Sequence, residues 1–290
     1  MKKPAILVVG GAGYIGSHMV LDLLRDDYPV VTLDNLSRGH RELLPGGEFV
    51  HGDMGNPDDL KKVFSDYPIR AVMHFAAHSQ VGESVGQPLA YYRNNVANTI
   101  TLLEAMATAD IRHFIFSSTA AVYGEPVKTP IAEDHPCSPT NPYGATKLAV
   151  ERLLADVSQA NGMTWSILRY FNAAGADISG KIGERHQPET HLIPLVLQVA
   201  TGERASIKIF GDDYPTPDGT CLRDYVHVSD LTRAHLLALE HLLQGGANTT
   251  YNLGNSTGYS VKQIIDTARE ISGHDIPAQT VNGVRATRQF

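Results

Sequence analysis

Ala5-Ile6-Leu7-Val8-Val9-Gly10-Gly11-Ala12-Gly13-Tyr14-Ile15-Gly16 is a short apolar run that ends in a cluster of glycines. Five consecutive apolar residues read as a strand buried on both faces, and the glycines read as a turn from that strand into a helix. The cluster fits two spacings, Gly11-x-Gly13-x-x-Gly16 and Gly10-x-x-Gly13-x-x-Gly16. Either supplies positive φ for the turn, close approach of backbone to a phosphate, and tight packing of helix on strand.

Glycines alone are a weak signal, since any tight strand-to-helix turn has this look. Asp34 strengthens it by ending the next strand roughly 20 residues on, where a carboxylate accepts hydrogen bonds from an adenosine ribose and repels a 2′-phosphate. A dinucleotide site follows, with NAD favoured over NADP. Arg38, close to Asp34, leaves NADP open.

Working outward, Val30–Asp34, Ala71–Phe75, Phe114–Ser117 and Ser166–Arg169 repeat the apolar or β-branched pattern and alternate with segments of helical spacing. That alternation predicts an α/β fold with a doubly wound parallel sheet of Rossmann type. Beyond Asn172 the texture changes to loops rich in Gly, Pro, Asp and His, with helices expected at Leu192–Thr201, Ser229–Leu243 and Ser260–Ser272. The expected division is a dinucleotide domain over 1–171 and a smaller C-terminal substrate lobe over 172–290, with some chain returning to the first domain.

Tyr143-Gly-Ala-Thr-Lys147 places a phenol and an ammonium on one helix face, because residues four apart lie one above the other. Asn141-Pro142 supplies a cap and a first-turn proline, so the helix starts just before Tyr143 and carries Tyr143, Lys147 and Glu151 down one side. By itself this is an ordinary surface pair. Beside a nicotinamide ring the ammonium would hold the phenol as phenolate, a shift of roughly three units or about 4 kcal/mol from its ordinary value. Ser117-Ser118-Thr119 ends a strand at the carboxyl edge of the sheet, where ligands of α/β folds bind. Together these residues point to redox chemistry on an alcohol.

The 290 residues include 24 basic and 31 acidic side chains for a net charge of −7, with no basic block to follow a nucleic-acid backbone or an anionic membrane. The apolar run after Lys2-Lys3 is too short for a signal peptide or a membrane span, so a cytoplasmic protein is expected. Cys137 and Cys221 are expected as free thiols.

Further motifs extend the pattern. They include Val81-Gly82-Glu83-Ser84-Val85, Tyr91-Tyr92-Arg93-Asn94-Asn95-Val96, Ser117 to Gly124, Arg169-Tyr170-Phe171-Asn172, Pro188-Glu189-Thr190-His191-Leu192-Ile193-Pro194, Ile209 to Thr216, and Arg223 to Val228. From about Ala5 to about Pro277 the chain resembles the extended short-chain dehydrogenase/reductase family, at its nucleotide-sugar 4-epimerase branch. The resemblance implies reversible epimerisation at C4 of a UDP-hexose, UDP-glucose or UDP-galactose, through a transient 4-keto intermediate with tightly held NAD. Tyr143 would take the 4-hydroxyl proton, Thr119 would hydrogen-bond the 4-oxygen, and Lys147 would hold the NAD ribose and lower the tyrosine pKa. By the same resemblance Gly10, Gly13, Tyr14, Ile15, Gly16, Asp34, Asn35, Ser37, Asp53, Met54, Phe75, Ala76, Ala77, Asn94 and Phe171 line the NAD site. Asn172, His191, Leu192, Phe210, Arg223 and Tyr225 would hold the UDP portion, and a homodimer is implied, packed through the Tyr143 helix and the helix near Tyr91–Ala107.

Related 4,6-dehydratases carry an acid pair directly after the strand threonine, where this chain has Ala120-Ala121, so elimination of water is disfavoured. A cofactor-binding form without turnover is the rival of another class. Arg223 suits a diphosphate, against the alternative of a pair with Asp224. Glu184, His186, Glu189 and His191 look like a metal cluster, but the histidines are five apart in a proline-containing loop, and no metal is expected. His78 and Ser79 stand where some relatives have a lysine. After Pro277 the resemblance stops, which reads as a truncated or altered end in which neither Arg285 nor Arg288 matches the family's phosphate-binding arginine.

Overall fold

The computed structural model describes residues 3–281; Arg285 and Arg288 lie outside them. In chain order the elements are β1 (Ala5–Val9), α1 (Tyr14–Arg25), β2 (Val30–Asp34), β3 (Glu48–His51), α2 (Pro57–Asp66), β4 (Ile69–His74), α3 (Val81–Gly86) and α4 (Pro88–Tyr92). A π-helical turn at Arg93–Ala97 leads into α5 (Asn98–Thr108), followed by β5 (His113–Thr119), α6 (Pro142–Asn161), β6 (Thr164–Tyr170), β7 (Asn172–Ala174) and α7 (Leu192–Ala200). The described chain ends with β8 (Ile207–Phe210), β9 (Leu222–His227), α8 (Val228–Leu243), β10 (Thr249–Leu253), β11 (Gly258–Ser260), α9 (Val261–Ser272) and β12 (Ala278–Val281).

Seven strands form one parallel sheet in the order β10-β6-β5-β4-β1-β2-β3. Successive residues of β1 explain the layering. Ile6 and Val8 pack on one face with Met19 and Leu23 of α1 and Leu236 and Leu239 of α8, while Leu7 and Val9 pack on the other with α2, α5 and α6. Both faces are covered, so the central strands are apolar throughout rather than alternating. The strand order reverses direction between β1 and β4, and the crevice at that switch point is where such sheets hold ligands.

The remaining strands make smaller sheets, β11-β9-β7 and β12-β8, beside a separate core of Val196, Val199, Ile207, Ile265 and Ile276. Two strands of the large sheet were not expected. β3 is an edge strand of half-exposed Glu48, Phe49, Val50 and His51, and β10 reads Thr-Thr-Tyr-Asn-Leu with no buried residue, so neither carries an apolar run. β10 pairs with β6 from Thr249↔Ser166 to Leu253↔Tyr170, which brings chain from beyond residue 172 back into the sheet. Both cysteines are free thiols, and no described helix is long and apolar enough to cross a membrane.

Candidate active site

β1 delivers the glycine turn to the switch point. Gly10 sits at φ +80°, and a Cβ there would lie 2.5 Å from the Ala76 amide nitrogen, while one at Gly16 would lie 2.2 Å from the Gly10 carbonyl oxygen. A Cβ at Gly11 would likewise lie 2.7 Å from the Thr32 side chain, whereas one at Gly13 meets nothing nearer than 3.4 Å, so the tight positions are Gly10, Gly11 and Gly16, drawn from both spacings. Gly13 caps α1 without any side-chain hydrogen bond, so the first-turn amides keep their donors for a ligand in the cleft. Those amides and the helix dipole fit a pyrophosphate, and hence NAD.

Asp34 is 9 % exposed, and its carboxylate accepts from the Ala12 amide at 2.9 Å and the Leu36 amide at 2.8 Å. Burial raises its pKa against these two bonds. Its carboxylate thus braces the turn as well as facing the cleft. Arg38, the residue that left NADP open, is held by Glu83 at 2.9 Å. Nearby, Asn35 donates to Asp53 at 2.7 Å and accepts from the Ser37 amide at 2.9 Å. Asn94 donates to the side-chain oxygen of Asn95, and Asn95 in turn bonds the His78 backbone and the Thr146 hydroxyl, tying the loop after β4 to α6.

The Asn141 side chain accepts from the Gly144 amide at 2.9 Å and starts α6 as the sequence predicts. The Tyr143 hydroxyl hydrogen-bonds the Thr119 side chain; burial nevertheless pushes the phenol up to about 12. Lys147, 3 % exposed, gives its ammonium to the Ser117 carbonyl at 2.8 Å, with Phe116 4.7 Å beneath it. Burial lowers Lys147 to about 7, opposed by Glu151. In the protein alone the Lys147 ammonium is committed to a backbone carbonyl, and at the phenol desolvation outweighs the hydrogen bond from Thr119.

Beneath this pair lies a network that the sequence did not reveal. The Glu151 carboxylate accepts from Ser118 and from Arg169, whose guanidinium also donates to the Tyr123 hydroxyl at 2.8 Å. The only sequence signal was Glu151 standing four residues past Lys147.

On the opposite wall Asn172 donates to the Asp224 carbonyl at 2.9 Å. The Asp224 carboxylate accepts from the Asn255 and Ser256 amides, and Arg223 instead meets the Cys221 sulfur at 2.8 Å. The structure therefore replaces the Arg223–Asp224 pair with a guanidinium on the cleft wall. Glu184, His186, Glu189 and His191 come together in the loop before α7. Hydrogen bonds from His186 and His191 hold Glu184 at about 2 despite burial, and the two carboxylates raise His191 to about 9 against its own burial.

Every residue named for the cofactor, the UDP portion and the chemistry lines a single cleft of about 1810 Å³. It brings together Gly10, Gly13, Tyr14, Ile15, Gly16, Asp34, Asn35, Ser37, Asp53, Met54, Phe75, Ala76, Ala77, Asn94 and Phe171 with Thr119, Tyr143 and Lys147. Asn172, His191, Leu192, Phe210, Arg223 and Tyr225 complete it. Glu83 and Tyr170, which the sequence placed in motifs without a site role, and Arg204 and Lys208, which it did not single out, also line the cleft. Ala120 and Ala121 form a 3-10 turn directly after Thr119, so no proton-carrying side chain stands there.

The sequence pattern of the NAD dependent epimerase/dehydratase family matches residues 6–254. The UDP-glucose 4-epimerase of Halalkalibacterium halodurans is 55 % identical over 275 residues, which cover 95 % of this chain and 82 % of that protein. The crystal structure of UDP-glucose 4-epimerase from Brucella ovis in complex with NAD superposes with a TM-score of 0.95 at 47 % identity, covering 97 % of this chain and 87 % of that one. The structure of UDP-glucose-4-epimerase from Stenotrophomonas maltophila with bound NAD and formylated UDP-arabinopyranose gives a TM-score of 0.94 at 38 % identity, covering 98 % and 87 %.

Proposed function

Because the chain belongs to the NAD dependent epimerase/dehydratase family, we propose that it interconverts UDP-glucose and UDP-galactose by NAD-dependent epimerisation at C4. The observation that carries this reading is the meeting of Thr119, Tyr143 and Lys147 with the uncapped start of α1 in one cleft, next to two alanines that move no proton. NAD+ held at the start of α1 would supply the hydride acceptor, and then donor, for C4. Thr119, at the end of β5, hydrogen-bonds the sugar 4-oxygen and presents it to Tyr143. The Tyr143 phenolate takes the 4-hydroxyl proton during oxidation, and the phenol gives it back when C4 is reduced on its other face.

Lys147 acts by holding positive charge near the reacting atoms, anchored by the Ser117 carbonyl and buried so that little water screens it. Asn172, His191, Leu192, Phe210, Arg223 and Tyr225 hold the UDP, with the Arg223 guanidinium against its phosphates. Gly10, Gly13 and the first turn of α1 hold the cofactor pyrophosphate, with Asp34 toward its adenosine. We assign 1–171 to the dinucleotide domain and 172–290 to the sugar-nucleotide lobe, with α8 and β10 belonging to the first. A second copy is expected to pack on the face of α4, α5 and α6, a reading supported by exposed Leu89 and Tyr92 there.

The test is Tyr143→Phe. The variant should copurify with NAD as the parent does and lose nearly all conversion of UDP-galactose in an assay coupled to UDP-glucose oxidation. Undiminished turnover would remove Tyr143 from the chemistry. Dehydration is the second reading, and the absence of acid and base at 120 and 121 weighs against it.

A further inference from the structure

The loop leading into α7 gathers two imidazoles and two carboxylates although it has none of the periodicity of a helical metal motif. Glu184 Oε1 lies 2.8 Å from His191 Nδ1 and 3.1 Å from His186 Nδ1. Glu189 oxygens lie 3.0 Å from His191 Nδ1 and 3.8 Å from His186 Nδ1. One ligand atom from each of the four side chains falls within 4.8 Å of all the others. A tetrahedral ion with bonds of about 2.0–2.1 Å has edges of about 3.3 Å between its ligands, and the observed separations bracket that value.

Two carboxylates converge on the two imidazoles, so the cluster gathers negative charge that favours a cation. Both carboxylate side chains are only 8 % exposed, and among the described residues neither forms an ion pair with a lysine or arginine. Arg185, between them in sequence, points away and pairs with Glu42 at 2.9 Å. Each Nδ1 carries at most one hydrogen yet faces an oxygen from both glutamates, and although the Thr190 and His191 amides also donate to Glu189 Oε1, neither imidazole can donate to both carboxylates at once. A divalent ion accepts lone pairs from all four groups at once. On binding it, each imidazole releases any Nδ1 proton to solvent and keeps its hydrogen at Nε2.

We propose that Glu184, His186, Glu189 and His191 form a four-ligand site for a divalent transition-metal ion. The His2Glu2 donor set suits Zn2+, with imidazole nitrogens too soft a choice for Mg2+ or Ca2+. The site is structural: four protein ligands leave no open position for chemistry. It clips the loop of residues 184–191 into one arrangement on the cleft wall, where His186 also packs edge-on against Tyr14 with ring centroids 6.2 Å apart. His191 is shared with the proposed UDP site, but the proposal is tested with neither sugar nor added cofactor, so its failure is distinguishable from failure of the epimerase reading.

The experiment is titration of chelator-treated, desalted holoprotein with Zn2+ by calorimetry, and with Co2+ by visible absorption. The expected result is one ion per chain with a Kd of about 1 µM or tighter, the intense visible bands of tetrahedral Co2+, and a higher melting midpoint with Zn2+ present. Glu184→Gln and His186→Ala, each checked by circular dichroism and retained NAD, should weaken binding by at least ~100-fold, since even the loss of an outer partner costs 10–100-fold. His274→Ala, outside the cluster, should bind as the parent does. Failure of the parent to bind one ion per chain, a weak octahedral Co2+ spectrum, or unchanged affinity in both cluster variants would overturn the site. Should either variant fail to fold, Glu189→Gln takes its place, and the parent Co2+ spectrum decides without any variant.

Discussion

Replacing Glu151 by leucine tests how the floor beneath Tyr143 and Lys147 is held. The Glu151 carboxylate receives Arg169 Nε at 3.0 and 3.2 Å, Arg169 Nη2 at 2.6 Å and the Ser118 hydroxyl at 2.5 Å. The two side chains are 5 % and 10 % exposed. Removing one partner of such a pair leaves the other charge buried and uncompensated, at a cost of about 3–5 kcal/mol. With an unfolding entropy of about 2.1 cal/mol/K per residue over 290 residues, that loss lowers the melting midpoint by about 5–8 °C. Arg169→Met should do the same from the other side. The double variant removes both charges and forfeits mainly the bonds to the Ser118 hydroxyl and the Glu133 carbonyl, about 1 kcal/mol each. The Tyr123 hydroxyl keeps its bond to Asn252 at 2.7 Å. The double should therefore melt above either single variant in calorimetry or urea titration. A double variant as unstable as the sum of the singles would refute the coupling and the account of the floor built on it.

Two further outcomes follow from the cleft. Lys147 has a folded pKa of about 7, lowered by burial from an ordinary 10.5, so between those values the unfolded chain binds more protons and stability rises with pH. The slope is at most about 1.4 kcal/mol per pH unit; Lys147→Met should flatten it in urea titrations from neutral to mildly alkaline pH, and equal slopes in both proteins would contradict the assignment. In Gly16→Ala the new Cβ would meet the Gly10 carbonyl oxygen at 2.2 Å, so the turn must open, with a loss of about 1–3 kcal/mol and of copurified NAD. Gly82→Ala, with nothing within 4 Å of its Cβ, should change neither, and the same NAD content in Gly16→Ala as in the parent would discount the turn.

What could be read from sequence was local. The glycines after β1, Asp34 at the end of β2, and Asn141-Pro142 at the head of α6 act over a few residues, and each is where its own chemistry puts it. Expected strands and helices shifted mainly at their ends, as with β4 at Ile69–His74 in place of Ala71–Phe75. The features that escaped depend on distant partners. Glu151 meets Arg169 across 18 positions, and the polar strand β10 earns its place only by pairing with β6. The aim of Lys147 at a carbonyl and the closure of the 184–191 quartet depend on burial and loop path, which no spacing encodes.

The return of β10 to the edge of the large sheet has a consequence for biogenesis. Ser166 and Thr249 are hydrogen-bonded neighbours across 83 positions, so β6 leaves the ribosome with one side unpaired and waits roughly 4–17 s, at 5–20 residues per second, for its partner. Through that interval a bare strand edge next to α6 is open to pairing with other chains. β7, β8 and β9 emerge inside the same interval, so the large sheet is completed only after three of the five strands of the smaller sheets have been made.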